Sequence, residues 1–133
     1  MTETQTIRCL SVQPAMAYAI ANLGKDIENR SWRTYYTGWV YIHASSSRDG
    51  YKLHKDWIEK EAGLVCPAFK DLPQGAIICR VWLGDIPLAP AGKEEKTQWG
   101  MPGCYWWPLS KVERIEPISM KGKLGLFKTE IPM

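Results

Sequence analysis

The tightest constraint on the fold is the run Ala76-Ile77-Ile78-Cys79-Arg80-Val81-Trp82-Leu83, which follows Gly75 and is apolar almost throughout. A run this short, rich in branched and aromatic side chains, reads as a central strand. Trp39–Ser45 alternates, with Val40, Ile42 and Ala44 on one face and Tyr41, His43 and Ser45 on the other, as a strand with two unlike faces does. Ile7–Val12 is a short apolar strand that stops at Pro14, and Asp26–Trp32 is a further strand followed by a turn near Gly38. The segments 104–109, 111–118 and 124–128 supply the last strands.

Two segments carry helical spacing instead. In Pro14–Leu23, Ala17, Ile20 and Ala21 recur at helical intervals, proline is tolerated in the first turn, and Gly24 ends the helix. A second helix is capped by serines or Asp49, buries Leu53, Trp57, Ile58 and Ala62, and ends at Gly63. Asp85–Gly100, punctuated by proline and glycine and carrying Lys93, Glu94, Glu95 and Lys96, reads as a long mobile loop. Strands dominate and two helices flank them. The pattern is a small α+β barrel of about five to seven strands.

At 133 residues the chain has the size of a single domain, spanning 1–133 with a core at about 7–128. No apolar run is long enough to cross a membrane, and the polar Met1–Arg8 lacks the apolar region of a signal peptide, so a cytoplasmic protein with no membrane partner is expected. Cys9, Cys66, Cys79 and Cys104 are scattered without paired spacing, and only two histidines accompany them. Reduced thiols follow, with no metal site and no cofactor expected. A net charge of +3 is too mild to imply a polyanionic partner by itself. Seven tryptophans and six tyrosines against two phenylalanines carry more information, because Trp and Tyr suit half-wet clefts as well as cores.

The functional signal concentrates in Gly24-Lys25-Asp26-Ile27-Glu28-Asn29-Arg30-Ser31-Trp32-Arg33-Thr34. Both charge signs and a tryptophan follow directly on a helix end. Such a run is costly to bury and too aromatic for an ordinary loop, so it reads as one wall of a polar cleft. On a strand, Glu28, Arg30 and Trp32 share a face. That row serves as an ion pair orienting an arginine, or as a carboxylate and a stacking face for a base. Lys25 is either a phosphate contact or reactive amine, or a lysine favouring the helix C-terminus. Arg33, on the opposite face or beyond the strand end, is the phosphate candidate.

Leu10-Ser11-Val12-Gln13-Pro14, Ala17, Ile20, Gly24-Lys25, Ile27-Glu28 and Arg30-Ser31-Trp32 together resemble the signature of ASCH domains. Pro102-Gly103, Tyr105, Trp107, Ile118 and Gly122-Lys123-Leu124-Gly125-Leu126-Phe127 continue the resemblance, which covers about residues 7–128. ASCH domains are members of the PUA-like superfamily, related to PUA, EVE and YTH modules. The resemblance implies the PUA-like pseudobarrel and an RNA- or nucleotide-binding role. The Glu-Asn-Arg-Ser-Trp form is closest to the ASCH module of a transcription coactivator. Some ASCH proteins remove the acyl group from N4-acylated cytidine with a lysine, a threonine and a glutamate in a Gly-x-Lys-Thr-x-Thr-x-Arg pattern. Its lysine and arginine fall on Lys25 and Arg30, but its catalytic threonine falls on Glu28, and Gly24 directly precedes Lys25. Other stand-alone members resemble ribonucleases.

Further candidates lie in later segments. His43 and Ser45 sit in the family-like Ile42-His43-Ala44-Ser45 run, as structural residues or as ligand contacts. Trp99 and Tyr105 flank a glycine- and proline-fixed turn, either packing it or forming an aromatic wall opposite Trp32. His54 is expected on the solvent side of the second helix. The basic residues Lys111, Arg114, Lys121, Lys123 and Lys128 make a nucleic-acid track only if the fold gathers them. The leading expectation is a binding domain for single-stranded or modified nucleotides using Lys25, Glu28, Arg30, Trp32, Arg33, His43, Ser45, Trp99 and Tyr105. The alternatives are a hydrolase with Lys25 and Glu28 as catalytic pair, either a ribonuclease or an N4-acylcytidine amidohydrolase, and a protein-interaction module.

Overall fold

The computed structural model describes residues 3–133. Its strands are β1 (Thr4–Val12), β2 (Ile27–Arg30), β3 (Gly38–Ala44), β4 (Ala76–Leu83), β5 (Tyr105–Ser119) and β6 (Leu126–Pro132). They form one six-stranded mixed sheet in the order β2-β5-β4-β3-β1-β6, in which β1 and β3 are parallel and every other neighbouring pair is antiparallel. Helices α1 (Pro14–Asn22) and α2 (Tyr51–Asp56) complete an α+β fold. The expected barrel is not closed: β2 and β6 end the hydrogen-bonded ladder, each with one strand partner.

The alternation along β3 separates two cores. Val40, Ile42 and Ala44 join α1 residues such as Ala17 and Ile20, together with Ile58 and Trp107, in the larger core. Tyr41 faces the other way, into a smaller core with Ile7, Cys9, Ile77, Phe127 and Ile131. Ile115 and Ile118 of β5 pack against this same small core, so the sheet curls far enough for β5 and β6 to share apolar neighbours.

Three departures from the sequence pattern have local causes. Segments 104–109 and 111–118 are one bent strand, because Lys111 adopts φ 52° and places an extra residue opposite β4 between the Trp82–Ser110 and Arg80–Glu113 pairs. The second helix widens into a π-turn at Trp57–Glu61, which breaks the α period and leaves Leu53 68% exposed while Ile58 is fully buried. The loop after β4 has no regular structure, yet its distal half is fastened down. Asn29 Nδ2 donates to Trp99 O (2.8 Å), Met101 N donates to Asn29 Oδ1 (2.9 Å), and Trp57 Nε1 donates to Gln98 O (2.9 Å). Among the described residues no helix is long and apolar enough to cross a membrane.

Candidate functional site

Helix α1 ends where Gly24 takes a left-handed φ of 75°, which swings the chain back so that Lys25 N donates to Ala19 O at 3.2 Å. That reversal drives the Lys25 side chain inward. Only 2% of the residue is exposed, and Nζ lies 5.6 Å from the Trp99 ring and 5.8 Å from the Trp57 ring. The ammonium donates to Ile27 O and sits 3.7 Å from Glu28 Oε1. Burial pulls the Lys25 pKa below the ordinary lysine value, and the neighbouring Glu28 carboxylate only partly offsets it.

Strand β2 pairs with the start of β5, Glu28 opposite Trp107 and Arg30 opposite Tyr105. Its pleat puts Glu28 and Arg30 on one face, where Arg30 Nε donates to Glu28 Oε2 at 2.9 Å. The other end of the guanidinium donates to Ser11 O at 2.8 Å. Glu28 therefore sits between two cations, one buried and one partly exposed. A planar guanidinium spans the carboxylate and the backbone carbonyl at once, which a lysine at position 30 does not.

These groups line a pocket of about 360 Å³ at the carboxyl end of β1, at the small end of the roughly 300–1,000 Å³ range of ligand sites. Lys25, Glu28, Arg30 and Trp32 all line it. Trp32 is half-buried, held edge-on to Trp107 (centroids 4.8 Å apart, planes at 86°), while Trp107 Nε1 donates to Trp32 O at 3.1 Å. The chemistry on offer is a fixed array of hydrogen-bonding groups beside aromatic side chains, with a lysine whose pKa burial lowers.

The remaining candidates lie elsewhere. Arg33 follows the end of β2, donates to the carbonyls of Ile86 and Thr34, and stacks on Tyr35 at 4.4 Å, so it anchors the loop after β4. His43 is buried. Its Nε2 lies 2.7 Å from Met120 O, which only accepts, so Nε2 carries the proton, and Nδ1, 3.2 Å away, accepts from the Ser11 hydroxyl. This pin joins β1, β3 and the β5–β6 connection, and Gly122 rests on it so closely that a Cβ there would stand 2.2 Å from Ser11 Oγ. Ser45 lines a separate depression beside His43, Lys121 and Lys123. Trp99 is buried beneath Lys25 as part of the core, and Tyr105 is half-buried on β5 without lining the pocket. Neither faces Trp32 across it. The wall comes instead from Trp57 and Met101.

Ser11, Val12 and Gln13 line the pocket from within the motif, where the sequence reading gave them no site role, and Met16, His54, Trp57 and Met101 were not read as site residues at all. His54 is half-buried rather than solvated, and burial lowers its pKa. His54 and Trp57 are three apart, hence on one helix face, so assigning Trp57 to a pocket would have brought His54 with it. Nothing in the sequence marked Met16. No protein-family model matches the chain, and no curated protein matches it.

Proposed function

We propose that this chain is an ASCH-type domain of PUA-like pseudobarrel form that binds RNA or nucleotides, holding one unpaired or modified base in the pocket at the end of β1. The motif residues support the family reading, and the shared core between β5 and β6 supports the pseudobarrel form. One observation carries the function: a pocket of about 360 Å³ is lined by Trp32 and Trp57 together with the fixed Lys25–Glu28–Arg30 array. Stacking accepts any base, while the charged array supplies donors and acceptors to a base edge. Titration of the purified chain with short single-stranded RNA tests this. Trp32→Ala is expected to weaken binding by ~1–3 kcal/mol, the contribution of one base–aromatic stack. Unchanged affinity in that variant refutes the stacking pocket.

The second reading, a hydrolase acting on RNA or on an acylated cytidine, is favoured by Lys25. A lysine with a lowered pKa beside a carboxylate is the arrangement of a general base. Glu28 in place of a catalytic threonine argues against the ASCH amidohydrolase mechanism, since it offers no hydroxyl. Mass spectrometry of an RNA carrying N4-acetylcytidine separates the cases. The binding reading predicts an unchanged mass, a nuclease gives shorter fragments, and an amidohydrolase removes the acetyl group.

A further inference from the structure

A second site lies where β1 and β3 part. Their parallel pairing begins only at Cys9–Tyr41, whereas β1 is paired with β6 from Thr4 onward. Before Cys9, β1 therefore has β6 on one side and, on the other, a notch facing the Tyr36–Trp39 segment. A pocket of about 420 Å³ fills this notch, and its lining includes Arg8, Arg80, Lys128, Tyr36, Trp39 and Tyr41 with no acidic residue.

Two details of this notch point to an anionic occupant. Antiparallel register sets Arg8 directly opposite Lys128, so two positive charges share one face of adjacent strands. Like charges in that relation destabilise a sheet. Among the described residues neither cation forms an ion pair with a carboxylate. The second detail is geometric. Arg8 lies 4.3 Å above the Tyr36 ring and Arg80 3.9 Å above the Trp39 ring. Stacking fixes each guanidinium plane, and at Arg8 it leaves the edge open, the form in which arginine grips a phosphate through paired N–H donors. Glu113 Oε1 takes the Arg80 edge, at 2.9 Å from Nε and 2.8 Å from Nη2, and leaves Arg8 and Lys128 to the ligand.

We infer that this notch is a phosphate-binding site for single-stranded nucleic acid, with Arg8 and Lys128 on one phosphodiester and Trp39 and Tyr36 beside the flanking sugar or base. The aromatic side chains select the single strand, because its unpaired bases are free to stack on Tyr36 and Trp39 while those of a duplex are not. The site is distinct from the pocket at the other end of β1 and does not depend on that pocket's reading.

Lys128→Glu tests it in the full chain. The substitution turns a like-charge pair into an opposite one, so the melting temperature is expected to rise or hold. Affinity for a short oligouridylate falls at least about tenfold, and the slope of log affinity against log salt shrinks by about 1. Unaltered affinity and slope overturn the inference. The side-chain Nε–H signals of Arg8 and Arg30 in a nitrogen–proton correlation spectrum separate the two sites. A shift of Arg8 on adding the oligonucleotide supports the notch whether or not Arg30 responds, and a silent Arg8 overturns it. An equal Arg8 response to an acidic peptide also overturns it, because the occupant is then not nucleic acid.

Discussion

The two pockets along β1 handle positive charge in opposite ways. At the carboxyl end, Lys25 and Arg30 are both held by Glu28, in a cluster that is largely out of water. At the amino end, Arg8 and Arg80 lie on aromatic rings at the surface, and Arg8 faces another cation. Burial makes the first cluster rigid, so removing Glu28 strands a desolvated ammonium. Exposure makes the second cluster screened and salt-sensitive, with little effect on folding. Under the proposed reading, the first selects a ligand and the second attracts one.

The largest expected effect breaks the buried cluster. Glu28→Ala leaves Lys25 and Arg30 without their carboxylate, and urea denaturation is expected to show a loss of about 3–5 kcal/mol. A loss below ~1 kcal/mol means that water reaches the cluster and that the contrast with the surface site is false. Arg30→Lys is expected to fall between, since an ammonium does not span Glu28 and Ser11 O together.

Lys25→Met sharpens the comparison in the other direction. An apolar chain of similar length removes a desolvated ammonium while Arg30 still holds Glu28, so stability is expected to stay level or rise. The pH dependence has a definite sign. Because the folded Lys25 pKa is lowered, the unfolded chain binds more protons between that value and lysine's ordinary value of roughly 10.4. Lys25 therefore penalises folding at neutral pH, and the penalty fades as pH rises through this window. Cys9 and Cys79, whose thiols burial pushes up to about 12, act oppositely, losing stability as pH climbs above the ordinary thiol value. Subtracting the Lys25→Met curve from wild type cancels the thiols, and the difference is expected to move in favour of wild type with rising pH. A flat difference contradicts the lowered pKa.

The smallest expected effect is on the surface. Lys128→Glu is expected to add only ~0.2–1 kcal/mol of stability, the scale of one cross-strand pair, and high salt should erase the gain. A gain that persists in high salt makes the notch less exposed than its geometry indicates.

Much of the fold was legible because its signals are local. The β3 alternation, the Gly75–Leu83 run and the Pro14–Gly24 helix each need only neighbouring residues, and all three stand as elements. The π-turn at Trp57–Glu61 left no trace in the pattern, because it is one residue out of step with a regular period, and the bend at Lys111 showed only as a break between two expected strands. The same division governs the sites. Lys25, Glu28, Arg30 and Trp32 come together within one short segment, in which Glu28, Arg30 and Trp32 were readable as a row. Gln13, His54 and Met101 reach that pocket from separate segments through tertiary packing. Arg8 meets Lys128 only through the register of strands from opposite ends of the chain, which no spacing rule reveals.

The central claim is that the pocket of Lys25, Glu28, Arg30 and Trp32 holds an unpaired base. Photo-crosslinking of a short single-stranded RNA to the full chain, followed by peptide mapping with and without excess uncharged nucleoside, tests it most directly. The account predicts adducts on the Trp32 or Trp57 segments that the nucleoside removes, with adducts near Trp39 persisting because that notch needs a phosphate. Adducts that avoid the Trp32 and Trp57 segments altogether would contradict it.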